Sequence, residues 1–564
     1  MGHPTADHLT ASDFENPTAD VRPPGRARPR RTGRLAIAIG LGGLLPGGVA
    51  AAQCGDPGAG SCCAPSEIPG CTDAECCGIV CGIDPSCCVV EWDAACVLLA
   101  RNACDPRCDD ADLPGTAPFG EPQINAAFGV AVDWSPVEAG TAAPLLAVGS
   151  YLRNDWQAPQ GPDVVNAGAV SVFRRVEGLW SPQALIHSTS GVSDTYFGRS
   201  LAIAEGPELD VLAVGAYRNS QQGFQRGAVE VFTSSVPGVW TASQVLRPGS
   251  GSVNNEWFGF SLDAGHVPGG DGDTIAIGAP RSLGSERGAT YIFRRDGKSW
   301  TRDCKIVPLN SGSYDDSRFG WSVALQPNVT EGLGGKPLLL PYKMVVIGAP
   351  GFNGTRGRTF VLSKRLGDTW EDGVDTGQAV PNKTLTVPIS LAAGDRYGAS
   401  VATASRFIAV GLPGRDENRG AVAMWERVGN GSGTGAYVFR DLLSGPPDGE
   451  LPPGAKFGDA VSLREWTDGS VLLMVGARGD DAFGNQSGSV HFFRWMPGTP
   501  AAQWEFLGTS HGVEPQIGAQ FGFSVAAGDA GGVAGAPFQN TFIEVKGKKP
   551  TLLINTGTAA NLVP

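Results

Sequence analysis

Beyond residue 52 the chain has no run approaching 18 apolar residues, so nothing there is long and apolar enough to cross a bilayer as a helix. Histidine is scarce: there are six in 564 residues, and only His187, His266, His491 and His511 follow residue 52. None of the four stands in an H-E-x-x-H pair. The sequence signature of zinc peptidases is therefore missing. No two cysteines have the C-x-x-C spacing, which argues against zinc-ribbon, haem-attachment and thioredoxin chemistry. No 3.6-residue apolar stripe is sustained, which disfavours a helical fold. Basic charge is also short, with 43 Lys and Arg against 56 Asp and Glu and a net charge of −13. An acidic body of this kind excludes the basic footprint of a nucleic-acid binder.

Glycine is abundant, with 81 residues, and it follows no G-X-Y period. With 41% hydrophobic and 18% charged residues the chain reads as globular, and the glycines read as tight turns between short strands. Residues 1–52 read as a signal peptide. Six arginines end at Arg34, an apolar core spans Leu35 to Leu45, and Ala50-Ala51-Ala52 places small residues before Gln53. The Arg30-Arg31 pair leaves the general and the twin-arginine export routes both open. The expected location is extracellular or cell-surface, with the periplasm as the alternative.

Twelve of the 13 cysteines crowd into residues 53–108: Cys54, Cys62, Cys63, Cys71, Cys76, Cys77, Cys81, Cys87, Cys88, Cys96, Cys104 and Cys108. A span this small builds little core, so disulfides are expected to hold it together in an oxidising compartment. The connectivity stays open. Cys304 is left over, and a buried thiol is the expectation for it. Residues 109–118 (DDADLPGTAP) read as a linker, and a repeat region fills 119–564.

Seven segments of that region open on an aromatic-Gly pair: Phe128-Gly129, Phe197-Gly198, Phe258-Gly259, Phe319-Gly320, Tyr397-Gly398, Phe457-Gly458 and Phe521-Gly522. Each continues with a buried apolar strand ending in Gly, as in VLAVGAY, TIAIGAP and MVVIGAP. A polar loop follows, then a Gly-led strand such as GAVSVF or GAVEVF. A fourth strand begins near Trp180, Trp240, Trp300, Trp370 or Trp504 in five copies. Four short strands per period of about sixty residues predict propeller blades. Ring closure requires either the C-terminal tail or residues 109–127 to complete a blade.

The order F-G, V-G-A-P, G-x-V-x-V-F resembles the FG-GAP repeats of integrin α-subunit heads, and the Trp-led fourth strand resembles the bacterial branch of that family. The resemblance implies an all-β, seven-bladed β-propeller behind a small disulfide-rich module. The cysteine-rich stretch is itself similar to a module of exported planctomycete-type proteins. The resemblance also raises calcium, because many such repeats carry D-x-D-x-D-G loops. That pattern is absent here, and Asp263, Asp271 and Asp273 are the nearest fragment. No cofactor is otherwise expected.

Polar loops after the second strands are the candidate binding face, through Arg153, Asp155, Trp156, Arg218, Glu286, Arg287, Asp416, Glu417, Asp480 and Asp481. The Arg478-Gly479-Asp480 tripeptide falls within the repeat pattern and reads as coincidence. With no catalytic constellation in sight, the expected function is binding or adhesion toward an extracellular protein or polysaccharide. An extracellular hydrolase or lyase and a structural envelope component are the alternatives.

Overall fold

The computed structural model describes, apart from short loop segments, residues 127–546, the strands Thr551–Ile554 and Ala559–Asn561, and in the cysteine-rich segment residues 71, 74–83 and 85–88. The expected signal peptide (1–52) and linker (109–118) lie outside the described residues, as do Cys54, Cys62, Cys63, Cys96, Cys104 and Cys108. In the cysteine-rich segment a helix spans Ala74–Ile83. Cys71, Cys76, Cys77, Cys81, Cys87 and Cys88 are disulfide-bonded, Cys81 to Cys88. No helix among the described residues is long and apolar enough to cross a membrane.

The rest is all-β, in a propeller arrangement. Seven antiparallel sheets follow one another along the chain, over residues 128–187, 200–246, 261–306, 322–385, 401–443, 460–510 and 524–561. Within each sheet the strands are in sequence order. The first strands of the seven sheets contact one another in order, and the seventh returns to the first, so they surround a common axis. The C-terminal tail completes the last sheet: Thr541–Lys546, Thr551–Ile554 and Ala559–Asn561 extend it beyond its first two strands. The long fourth repeat holds one departure from sequence order. Its insertion sends Gln378–Ala379 back to pair in parallel with Lys305 and Ile306 of the third sheet.

Packing follows the periodicity. The second strands, such as Leu145–Ser150, Thr274–Ala279 and Val471–Ala477, are buried along their whole length, as expected for strands covered on both faces. Each apolar cluster is shared by two consecutive sheets. A seventh, around Trp134, Leu146, Phe173 and Val533, joins the last sheet to the first. Phe197, Phe258, Phe319, Tyr397, Phe457 and Phe521 are fully buried wedges in this series, each worth roughly 1.5–3 kcal/mol of burial. Cys304 is buried between the third and fourth sheets.

The repeated glycines have a common steric cause. A Cβ on Gly149, Gly215, Gly278, Gly348, Gly411, Gly476 or Gly535 would lie 1.9–2.2 Å from the carbonyl oxygen of the F-G glycine of the next sheet. No side chain fits there. For Gly535 that next glycine is Gly129, so the same contact closes the ring. Beside it, the hydroxyls of Ser200, Ser261, Ser322, Ser400 and Ser524 donate to the same carbonyls (Gly259, Gly320, Gly398, Gly458 and Gly129) at 2.7–3.0 Å. Ala131 and Ala460 hold the two remaining positions of this series.

Candidate binding face at the axial mouth

The register places the start of each first strand beside the end of the second, as in Phe128 opposite Ser150 and Ser200 opposite Gly215. The F-G pairs and the loops after the second strands therefore share one end of the axis. At that end the residue preceding each F-G pair has a left-handed backbone without being glycine: Ala127, Tyr196, Trp257, Arg318, Arg396, Lys456 and Gln520, with φ of 51–59°. Each such residue costs roughly 1–3 kcal/mol. The conformation is held because its N–H bonds the loop of the preceding repeat, as Trp257 does Gln225 and Arg318 does Glu286. The side chains at that position and three residues later lie at this end.

Together with Tyr151 and Tyr217 of the loops after the second strands, the aromatic ones form a continuous arc. Tyr151 meets Tyr196 edge-to-face at 5.1 Å, Tyr196 meets Tyr217 at 5.8 Å, and Tyr217 meets Trp257 at 5.3 Å and Phe260 at 5.4 Å. Phe260 continues to Trp321 at 4.6 Å. The arc thus crosses four consecutive sheets. Guanidinium groups lie over its rings: Arg218 sits 4.4 Å from Tyr196, Arg281 4.5 Å from Trp257, and Arg318 5.7 Å from Trp321. Arg218 also donates to the Tyr196 hydroxyl at 3.0 Å, and burial pushes that phenol up to about 12. Arg199 lies 5.4 Å from Phe260 of the third sheet and 5.6 Å from Phe523 of the seventh, so its charge reaches across the axis.

Of the candidate loop residues, Arg218 and Glu286 belong to this assembly. Glu286 bridges Arg281 and Arg318, the latter at 3.1 Å. Arg287 pairs with Asp315 at 2.8 Å. Asp416 and Glu417 are exposed beside Arg419, and Asp481 is exposed and accepts from the Gln486 amide. Arg153 and Asp480 are buried, and Asp480 caps the Ala482 amide at 3.1 Å, so the Arg-Gly-Asp tripeptide does not present its carboxylate. Asp155 and Trp156 lie outside the described residues. The aromatic and basic positions flanking the F-G pairs (Tyr196, Arg199, Trp257, Phe260, Trp321) were not among the sequence candidates. Their signal is their fixed offset from a motif already recognised.

Of the calcium candidates, two lie among the described residues. Asp273 pairs with Arg295 at 2.5 Å and with the His266 ring at 2.7 Å, Asp271 lies outside the described residues, and Asp263 sits on a first strand. Among the described residues the one trio of metal-ligating types is Cys77, Cys81 and Cys88, whose sulfurs are in disulfides.

Toward the other end of the inner strands stand two carboxylates, Asp133 and Asp263, five residues past their F-G phenylalanines. Desolvation raises Asp133 to about 6. It raises Asp263 to about 7, with the Asp133 charge adding to the effect. Such values suit proton transfer, but both carboxyls are fully engaged. Asp133 accepts the Trp134 and Ile203 amides at 2.9 and 2.7 Å, and Asp263 accepts those of Ala264 and Leu325 at 2.8 and 2.6 Å. Each thus ties its strand to that of the next sheet, a task that Ser462 performs for Ala527 in the sixth repeat at 3.0 Å. The pair reads as strand-linking rather than catalytic.

No protein-family model matches the chain, and no curated protein does. Among solved structures the chain is similar to a crystal structure from Bacteroides uniformis, provisionally described as a 6-phosphogluconolactonase. The identity is 9% and the TM-score 0.39, over 73% of this chain and 95% of that one.

Proposed function

We propose that the chain is an exported binding protein of the FG-GAP repeat class. Its seven sheets act as the seven blades of one ring, and its ligand sits on the axial mouth. The observation that carries this reading is the aromatic–arginine arc, in which strained left-handed residues hold large side chains at one end of the axis. Strain and half-exposed aromatics concentrate where proteins meet ligands, and Tyr151, Tyr196, Trp257 and Trp321 of the arc are half-exposed, whereas packing alone would bury them. The disulfide-bonded segment supports the extracellular or cell-surface setting. The ligand class is an extracellular polysaccharide or protein, and the ring acts as a scaffold for recognition without chemistry of its own.

The test is an array of matrix glycans and proteins probed with the purified chain, with tryptophan fluorescence as a solution readout. Binding that quenches fluorescence and is lost in Trp321→Ala supports the reading. Silence across the array, with the fold intact by circular dichroism, refutes it.

A further inference from the structure

The charge at the mouth is opposite in sign to that of the whole chain. Around the ring, the mouth is built from the residue before each F-G pair, the one after it, and the two that follow the buried Gly-Ala, Gly-Ser or Gly-Leu end of the second strand. These positions hold Arg199, Arg218, Arg281, Arg318, Arg396, Lys456 and Arg478 against a single acid, Asp459. The chain as a whole carries −13. Some of this charge is balanced locally, Arg478 by Asp459 at 2.5 Å and Arg281 with Arg318 by the one Glu286. Two guanidiniums sharing one carboxylate still leave a surplus of positive charge. In addition, the ring faces a cationic ligand would use are already covered from within, by Arg218, Arg281, Arg318 and Arg199. An incoming ammonium or guanidinium would meet like charge instead of an open π face.

From this the geometry points to an acidic polysaccharide, one bearing uronate carboxylates or sulfates, as the ligand of the mouth. This rests on the binding reading above and specifies it. Carboxylates and sulfates match the planar fork of arginine, and the surplus charge draws a polyanion toward an otherwise acidic protein. A glycan is favoured over other polyanions because Tyr151, Tyr196, Trp257 and Trp321 of the arc keep part of their ring surface exposed, while Tyr217 and Phe260 between them are buried. The exposed parts of these four rings offer sugar rings apolar C–H contact while the acidic groups of the glycan reach the arginines. Nucleobases need open faces for full stacking, which the guanidiniums occupy.

The experiment uses the chain expressed with its own export segment. Alginate, polygalacturonate and a heparin-type sulfated glycan are titrated by calorimetry beside neutral dextran, poly-glutamate and single-stranded DNA. Expected are binding of at least one acidic glycan, none of dextran, weakening in high salt, and an affinity at least tenfold lower in Arg218→Gln/Arg396→Gln. Arg218→Lys/Arg396→Lys, which keeps the charge, should retain most of the affinity, and thermal melts of both variants should track the wild type. Dextran bound as well as the acidic glycans overturns the charge assignment and leaves the binding reading standing. Poly-glutamate or DNA bound more tightly than every acidic glycan overturns the glycan assignment. Affinity unchanged in the Gln pair removes the mouth as the site, and silence toward every glycan overturns the glycan assignment and leaves the binding reading to the protein half of the array.

Discussion

The substitution Asp263→Asn should change how stability depends on pH. Asp263 is half-buried on an inner strand, its two oxygens occupied by the amides of Ala264 and Leu325. Its carboxyl is raised from 3.8 to about 7 by desolvation, with Asp133 as a like charge nearby. A raised value means that the folded chain keeps a proton the unfolded chain has released between those two pH values. The stabilisation it gives is complete below about pH 4, falls as pH rises, and is gone above about pH 7. Three pH units correspond to about 4 kcal/mol at pH 8. The asparagine keeps a carbonyl for Leu325 but turns an amide donor toward Ala264, a loss of about 1–2 kcal/mol. The net gain at pH 8 is then about 2–3 kcal/mol, and about 2–4 °C in melting temperature for a domain of this size. At pH 4 the variant should be the less stable protein. His491 works in the opposite sense. Burial lowers it to about 3, so its share of stability is lost as pH falls from about 6.5. The wild-type profile alone therefore mixes the two, and the diagnostic is the difference between variant and wild type, melted from pH 4 to pH 9. A difference that does not change sign or shrink toward acid would refute the reasoning.

Three further outcomes follow from the packing. Gly411→Ala drives a methyl to within 1.9 Å of the Gly458 carbonyl and should cost more than about 3 kcal/mol or abolish soluble protein. Gly449→Ala, with nothing within 4 Å, should melt like the wild type. Ser400→Ala removes the hydroxyl from the Gly458 carbonyl and should cost about 1–2 kcal/mol in urea unfolding, whereas Ala131→Ser, which supplies the missing member of the series, should gain about 0.5–1 kcal/mol. His491→Gln should flatten the acid side of the stability profile, and the ring of wild-type His491 should remain neutral by NMR at pH 5.

Positions under the same constraint in every repeat were legible in the sequence. The F-G pairs, the glycine closing each second strand and the Gly-led third strand recur because identical backbone contacts leave no room for alternatives. Their chemistry is uniform, so they speak of architecture. The mouth residues were harder to read, because the position before each F-G pair is constrained in φ but not in side chain, and so appears as Tyr, Trp, Arg, Lys, Gln or Ala. The side chain varies there from copy to copy, which hides the position from a search for repetition. The loop candidates were chosen for polarity, and polarity did not separate Arg218, which joins the arc, from Asp480, which is buried in a turn. Nor did spacing anticipate that the long fourth repeat would lend a strand to its predecessor, since pairing partners far apart in the chain leave no local mark.

The joint between the last sheet and the first repeats the glycine-against-glycine joint found everywhere else, with a serine hydroxyl beside it as in four of the other six. No strand crosses it among the described residues. A ring assembled this way has no privileged opening. A gene cut and rejoined at another inter-repeat loop would encode the same set of joints in a different order of synthesis. By the same logic a duplicated or deleted repeat meets compatible neighbours on both sides. Such a fold can change its number of units while each unit keeps its own mouth residues, and recognition can diverge in one repeat without disturbing the others.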